Sequence, residues 1–152
     1  MELFRLSRAA FATPLSGKGA ALKGARWNSP GVEMIYTAAN RSLAMAEVAV
    51  HLTWATLPSD YVMITIVVPD DVSIQKITPR NLPPGWNSFP YVRATQLIGD
   101  QFIAGGKHAI LQVPSAVTSG DFNLLINPWH PACSRIKIQS IEPFPFDQRL
   151  FK

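Results

Sequence analysis

The sequence has little of what secreted, membrane or zinc-binding proteins carry. Its 152 residues include one cysteine, Cys133, so the chain can form neither an internal disulfide nor a thiolate zinc site. No apolar run reaches the roughly 20 residues that span a membrane. The N-terminus, MELFRLSRAAF, lacks the basic and then apolar pattern of a signal peptide. We therefore expect a cytoplasmic protein with no membrane association, folded as a single domain over residues 1–152.

Charge is also scarce, and it is spread along the chain. Charged residues make up 16% of the sequence and the net charge is +4. No basic stretch is interleaved with aromatic residues, so direct binding of nucleic acid is not expected, and the excess favours phosphates or an acidic partner. Glycine-rich dinucleotide fingerprints and Walker-type lysine loops are missing from the sequence. Its histidines, His51, His108 and His130, lack the spacing of zinc ligands, so no metal is expected.

The pattern of apolar residues, prolines and glycines predicts an α+β domain with several strands and two or three helices. Strands are predicted at 3–6, 33–38, 61–69, 70–77, 108–116 and 134–144, with a short further element within 120–131. The run at 61–69, YVMITIVVP, is typical of a central strand covered on both faces. Helices are predicted from 41 to about 54, capped by Asn40, and over 91–106, ended by Gly105 and Gly106. We expect a mixed core of two packed sheets with a cleft between them.

The first of these helices contains a carboxylate among apolar residues. The segment SLAMAEVAVHL is apolar on almost every side, which is typical of a buried helix. Glu47 lies in its middle, and His51 follows one turn later on the same face. A buried carboxylate must be paired, hydrogen-bonded or protonated. It is therefore either part of a structural contact, such as Glu47 with His51, or a cleft glutamate with a tuned pKa.

A second candidate is the glycine-flanked stretch GARWNSPG at 24–31. Asn-Ser-Pro-Gly is a turn signal, so one interpretation is a simple turn in which Trp27 packs and Arg26 faces water. The alternative is a loop that presents the Arg26 guanidinium, with Trp27 as a wall and Gly24 removing bulk. Elsewhere Tyr36 falls late in its strand, and Ser115 follows a strand without the Gly-x-Ser-x-Gly pattern of a nucleophile. The asparagines of NLLINP, Asn123 and Asn127, most simply fix local turns.

Several blocks together resemble a known family. GARWNSPG, IYTA, SLAMAEVAVHL, LIGDQFIA, LQVPSAV, NLLINPWHP and the closing PFPFDQRL occur in the order found in the RES domain. The resemblance extends over nearly the whole chain. It places the arginine, tyrosine, glutamate and serine of the family on Arg26, Tyr36, Glu47 and Ser115. Ala25 departs from the pattern, since the family usually has a second glycine there.

The resemblance implies a function. RES proteins are toxins of bacterial type II toxin–antitoxin pairs, with a fold similar to ADP-ribosyltransferases. They consume NAD+ as a substrate rather than a cofactor, by hydrolysis or phosphorolysis, and some members modify a protein with ADP-ribose. The antitoxin is an Xre-like protein whose C-terminal part covers the cleft. The alternatives are a mono-ADP-ribosyltransferase acting on a protein and a module that only binds its antitoxin or a nucleotide.

The resemblance also implies roles for the matched residues. Glu47 would stabilise positive charge on the ribose, and Arg26 would hold the pyrophosphate or ribose hydroxyls. Tyr36 would stack on nicotinamide or bond the ribose, and Ser115 would bond the nicotinamide amide or a ribose oxygen. Further substrate contacts are expected from Gly24, Trp27, Asn28, His51 and Asn123. The aromatic residues Trp54, Trp86 and Trp129 are expected at the surface, where they favour self-association or burial by a partner.

Overall fold

Seven strands and three helices lie within residues 1–151, which are the residues that this computed structural model describes. The strands are β1 Glu2–Arg8, β2 Ile35–Ala38, β3 Tyr61–Val67, β4 Ile74–Lys76, β5 Ile110–Pro114, β6 Phe122–Ile126 and β7 Lys137–Pro143. The helices are α1 Lys18–Lys23, α2 Arg41–Ala49 and α3 Arg93–Gly105. Short 3-10 turns occur at Ala9–Phe11, Trp54–Thr56, Pro79–Asn81, Pro131–Arg135 and Gln148–Phe151. The predicted α+β class is confirmed.

The strands form one sheet in the order β4-β5-β6-β2-β1-β3-β7, antiparallel except for the parallel pair β4–β5. The expectation of two packed sheets is corrected, because hydrogen bonds connect all seven strands into one sheet. The junction between β1 and β2 is nevertheless slight. These strands pair only at Phe4 and Ala38, whereas β1 and β3 pair along their whole lengths. The sheet therefore has two halves that diverge beyond this single pair, and we call this junction the seam.

Both long helices lie on the same face of the sheet, one over each half. Helix α2 packs Leu43 and Ala44 onto Phe4, Leu6 and Ala38, beside the seam. Helix α3 packs onto the other half, where the buried residues are Trp27, Met34, Phe102, Leu111, Val113 and Leu125. The opposite face of the sheet carries the largest buried cluster, which includes Leu3, Ile35, Ile64, Ile66, Ile110 and Ile126. The space between α2 and α3, above the seam, remains open.

Helix α2 differs from its prediction in length and in burial. It begins after Asn40, whose side chain accepts a hydrogen bond from the Leu43 amide at 2.8 Å, so the predicted cap is confirmed. It ends at Ala49 rather than near residue 54, because the amides of His51 and Leu52 bond three residues back and tighten the chain. Only Leu43 and Ala44 are buried within it, and Val50, just beyond it, is 58% exposed. The apolar helix is thus half-buried, with one side facing the open space.

Two other predictions are corrected, and one is confirmed. Strand β3 is buried as expected but lies next to the edge strand β7, not at the centre of the sheet. The helices predicted from the sequence did not include α1, a short helix directly before GARWNSPG. Helix α3 ends as predicted, with Gly106 in the left-handed conformation at φ +61°. None of the helices found in residues 1–151 combines the length and apolar character needed to cross a lipid bilayer.

Candidate active site

A cleft opens at the seam and consists of two adjoining cavities. The inner cavity, of about 290 Å³, lies between β1, β2 and α2 and is lined by Phe4, Arg5, Leu6, Arg26, Trp27, Tyr36, Thr37, Ala38, Ala44, Glu47, Val48, Ala116 and Asn123. The outer cavity, of about 600 Å³, is lined by Ala25, Arg26, Tyr36, Glu47, Val50, His51, Asn87, Phe89, Tyr91, Ala116 and Val117. Arg26, Tyr36, Glu47 and Ala116 border both. Three of the four residues matched to the family motif therefore meet where the cavities join.

Glu47 projects from α2 into this junction. Burial raises the pKa of its carboxyl, while hydrogen bonding by Ser115 and by the Asn123 amide favours the charged form and limits the rise. Electrostatic attraction by Arg26, and less strongly by His51, also lowers this pKa. Of the two interpretations from the sequence, a structural contact or a cleft glutamate, the geometry favours the second.

Ser115 orients Glu47 instead of facing the cleft. Its hydroxyl donates a hydrogen bond to Glu47 Oε1 at 3.0 Å, and it accepts hydrogen bonds from the amides of Val117 and Thr118, each at 3.0 Å. The residue is only 3% exposed, and the wall of both cavities is formed by its neighbour Ala116. The serine therefore fixes both the turn after β5 and the carboxylate, which differs from the direct substrate contact that the resemblance implies.

Arg26 reaches the junction from the GARWNSPG loop. Its Nη1 donates to the carbonyl oxygens of Trp86 at 2.9 Å and Ser88 at 2.8 Å, both in the proline-rich loop before α3. Burial lowers its pKa, and the negative charge of Glu47 opposes that shift. The loop thus presents a guanidinium to the cleft, as one of the two sequence interpretations predicted, and the carbonyl oxygens hold one end of it.

Tyr36 supports this loop with its hydroxyl group. The hydroxyl accepts a hydrogen bond from the Trp27 amide at 3.0 Å and donates one to Asn28 Oδ1 at 2.6 Å. Burial raises the pKa of the phenol, so it stays protonated. Asn28 is fully buried, and its amide nitrogen bonds carbonyl oxygens of Ala20 and Val32. Tyr36 therefore offers its ring to both cavities, while Asn28 shapes the loop and lines neither.

The remaining expected contacts divide between the cleft and the framework. Trp27 and Asn123 line the inner cavity, and His51 lines the outer one, with its ring centroid 6.1 Å from that of Phe89. Gly24 lies outside both linings. It has φ +74°, and a Cβ there would lie 2.9 Å from Pro30 Cδ, so glycine is required for the turn itself. Trp86, expected at the surface, is half-buried beside Trp27 at a centroid separation of 6.4 Å.

The structure adds Arg5, which the sequence reasoning missed as a site residue. It lies on β1 among buried neighbours and lines the inner cavity, and its Nη1 donates to the Ser16 carbonyl oxygen at 3.4 Å. Burial lowers its pKa, and no carboxylate in residues 1–151 forms an ion pair with it. A buried arginine without an anionic partner is costly unless a ligand supplies the charge. Its position inside a strand with apolar residues on both faces is the signal that could have identified it.

Comparisons with known proteins identify a family that this chain matches along nearly its whole length. The family model described as "RES domain" matches residues 2–147. A "Prs ADP-ribosylating toxin" from Sphingobium sp. is 40% identical over 143 residues, which cover 93% of this chain and 89% of the relative. A protein named "Toxin Res" from Pseudomonas putida is 36% identical, and the match covers 99% of this chain and 100% of the relative. Another "Toxin Res", from Yersinia enterocolitica, is 34% identical, and the match covers 99% of both chains.

The solved structures contain a similar fold. The crystal structure of the M. tuberculosis MbcT–MbcA toxin–antitoxin complex includes a chain that matches with a TM-score of 0.77 and 21% identity. The match covers 99% of this chain and 86% of that chain. At this identity the likeness concerns the fold alone, and it agrees with the α+β class of this chain.

Proposed function

This chain belongs to the RES domain family, and we propose on that basis that it is the toxin of a toxin–antitoxin pair. We further propose that it depletes NAD+ by cleaving the bond between nicotinamide and ribose, through hydrolysis or phosphorolysis. The observation that carries this proposal is the junction of the two cavities, where Glu47, held by Ser115, faces the guanidinium of Arg26. The names of the relatives support the toxin part of the proposal.

Cleavage of the bond between nicotinamide and ribose requires little more from the protein than one carboxylate. When the C1′–N bond breaks, its electron pair goes to the nicotinamide nitrogen, which leaves as a neutral ring without needing a proton. The ribose then carries positive charge, as in glycoside hydrolysis. The Glu47 carboxylate stabilises this charge at close range in a partly water-excluded cleft, where electrostatic effects are strong. Water or phosphate bonds to C1′, and in hydrolysis the proton released by the attacking water passes to Glu47.

The two arginines suit the diphosphate of NAD+. Arg26 borders both cavities with one end of its guanidinium held by carbonyl oxygens, and Arg5 lines the inner cavity and forms no ion pair within residues 1–151. Planar guanidinium groups bind phosphate oxygens through paired hydrogen bonds. The ring of Tyr36, whose hydroxyl is already bonded, is left to stack against a flat group such as nicotinamide. The outer cavity falls within the usual size range of ligand sites, roughly 300–1,000 Å³, and the inner cavity lies at its lower limit.

A second activity has a specific observation in its favour. The relative that is 40% identical is named an ADP-ribosylating toxin. In this chain the outer cavity reaches Glu47 past exposed Val50 and Phe89, so the side chain of a protein acceptor has a path to the ribose. Transfer of ADP-ribose to a protein would use the same cleavage step with a different attacking group.

The proposed partner is an Xre-like antitoxin that covers the cleft. The fold neighbour was solved in a toxin–antitoxin complex. Around the outer cavity, Phe89 is 75% exposed, Val50 58% and Val117 38%, which makes an apolar rim suited to burial by another protein.

NAD+ turnover by the purified, partner-free protein tests the proposal directly. Reactions with and without inorganic phosphate, analysed by mass spectrometry, distinguish ADP-ribose from ADP-ribose 1″-phosphate as the product. Glu47→Gln keeps the shape of the side chain and is expected to lower turnover at least a hundredfold, while the exposed Glu142→Gln leaves it unchanged. Full turnover by Glu47→Gln would refute the mechanism. ADP-ribose on an added protein, without free product, would favour the transferase.

A further inference from the structure

One face of α3 contacts the backbone of the loop that carries Arg26. Gln96, Gly99 and Asp100 stand at positions i, i+3 and i+4 of this helix and therefore point to the same side. None of the three lines either cavity. All three contact the loop at residues 25–29, mostly through its backbone groups, so α3 acts on the site through the loop and not by touching the substrate.

Gln96 makes the central contact. Its Nε2 donates to the carbonyl oxygens of Ala25 and Asn28, each at 3.2 Å. Ala25 and Asn28 are themselves joined as an isolated antiparallel bridge, with Arg26 and Trp27 at its tip. One amide group thus ties both strands of a minimal hairpin, directly behind the arginine.

Gly99 and Asp100 fix the same loop at two further points. A Cβ on Gly99 would lie 1.5 Å from the Trp27 carbonyl oxygen, so the helix and the loop backbone are in direct contact. The Asp100 carboxylate accepts hydrogen bonds from both the amide and the hydroxyl of Ser29. Three successive contacts leave the loop little freedom to move relative to α3.

We infer that this face of α3 positions Arg26 for the substrate, and that Gln96 is the positioning residue through which it acts. The inference rests on the proposed function for its catalytic consequence. Its structural basis is separate: without the Gln96 amide, the Ala25 and Asn28 carbonyl oxygens lose a shared donor, and the tip of the hairpin is free to shift. Displacement of a positioning group by about 1 Å costs on the order of a hundredfold in rate.

The test compares Gln96→Leu with Gln101→Leu, an exposed glutamine of the same helix. For Gln96→Leu we expect hydrogen exchange at residues 25–29 to accelerate at least tenfold, while exchange in β5 and β6 stays unchanged. The specificity constant kcat/KM for NAD+ is expected to fall tenfold to a hundredfold. Gln101→Leu is expected to change neither quantity.

A double-mutant cycle separates positioning from a loss of folded protein. In an Arg26→Lys background, Gln96→Leu is expected to lower kcat/KM less than threefold, because its effect passes through Arg26. An equal fall in both backgrounds, or unchanged exchange at residues 25–29, would overturn the inference. If the unmodified protein consumes no NAD+, the proposed function fails, and the exchange experiment alone decides whether Gln96 holds the loop.

Discussion

Replacing Ser115 by alanine distinguishes the role seen in the structure from the one implied by the resemblance. The Ser115 hydroxyl donates to Glu47 Oε1 at 3.0 Å and so stabilises the charged form of the carboxyl. A hydrogen bond to a charged group contributes about 1.5–3 kcal/mol, and one pKa unit corresponds to about 1.4 kcal/mol. Because Glu47 is only partly shielded from water, the lower end applies. The pKa of Glu47, already raised by burial, is therefore expected to rise by about one further unit.

The assay is the dependence of kcat/KM on pH, which reports ionisations of the free enzyme. If the Glu47 carboxylate is the active form, activity is lost as pH falls through its pKa, and Ser115→Ala shifts this acid limb to higher pH by about one unit. Ser119→Ala, at an exposed position of the turn that follows Ser115, is the control and leaves the limb in place. An unshifted limb combined with a higher KM at every pH would refute the reasoning and make Ser115 a substrate contact.

Three stability measurements test other parts of the site. Burial raises the pKa of Glu47 in the folded state, so the protein is expected to lose stability as pH rises from about 4.5 through that pKa. Glu47→Gln should remove this loss, and an equal pH dependence of Tm in both proteins would contradict the expectation. Tyr36→Phe leaves the Trp27 amide without its acceptor and should cost about 1–3 kcal/mol in urea unfolding, whereas a cost near zero would show that the bond is dispensable. Gly99→Ala forces a Cβ against the Trp27 carbonyl oxygen and should lower Tm by several degrees, at about 2–4 °C for each kcal/mol of lost stability. Gly105→Ala, which has open space around its Cβ, should leave Tm unchanged, and equal Tm values for the two variants would refute the close contact.

Local patterns in the sequence predicted the elements and the main site residues. Asn40 before an apolar helix and Gly106 after α3 are local capping signals, and both ends form as predicted. The residues Arg26, Tyr36 and Glu47 were identified through motifs, and the structure brings them to one junction although they lie on a loop, a strand and a helix. Such patterns are readable because their physical causes lie within a few residues of chain.

Properties that depend on distant contacts were not predicted. Whether Ser115 faces a ligand or another side chain depends on Glu47, 68 residues away in sequence. Arg5 was counted only as one of many scattered cations, since nothing local shows that its strand borders a cavity. Strand order is likewise set by pairing between remote segments, so the buried run of β3 could not be distinguished from a central strand.

The seam between β1 and β2 gives the sheet an interior edge. Where the two strands part after the single pair Phe4–Ala38, the ladder between them ends and a gap opens beside the inner cavity. Arg5, Leu6 and Thr37 of these strands line that cavity, so the parting of the strands itself provides part of the cleft. Replacing a side chain leaves this gap in place. A change that allowed β1 and β2 to pair along their whole lengths would close this part of the cleft, even with every motif residue retained.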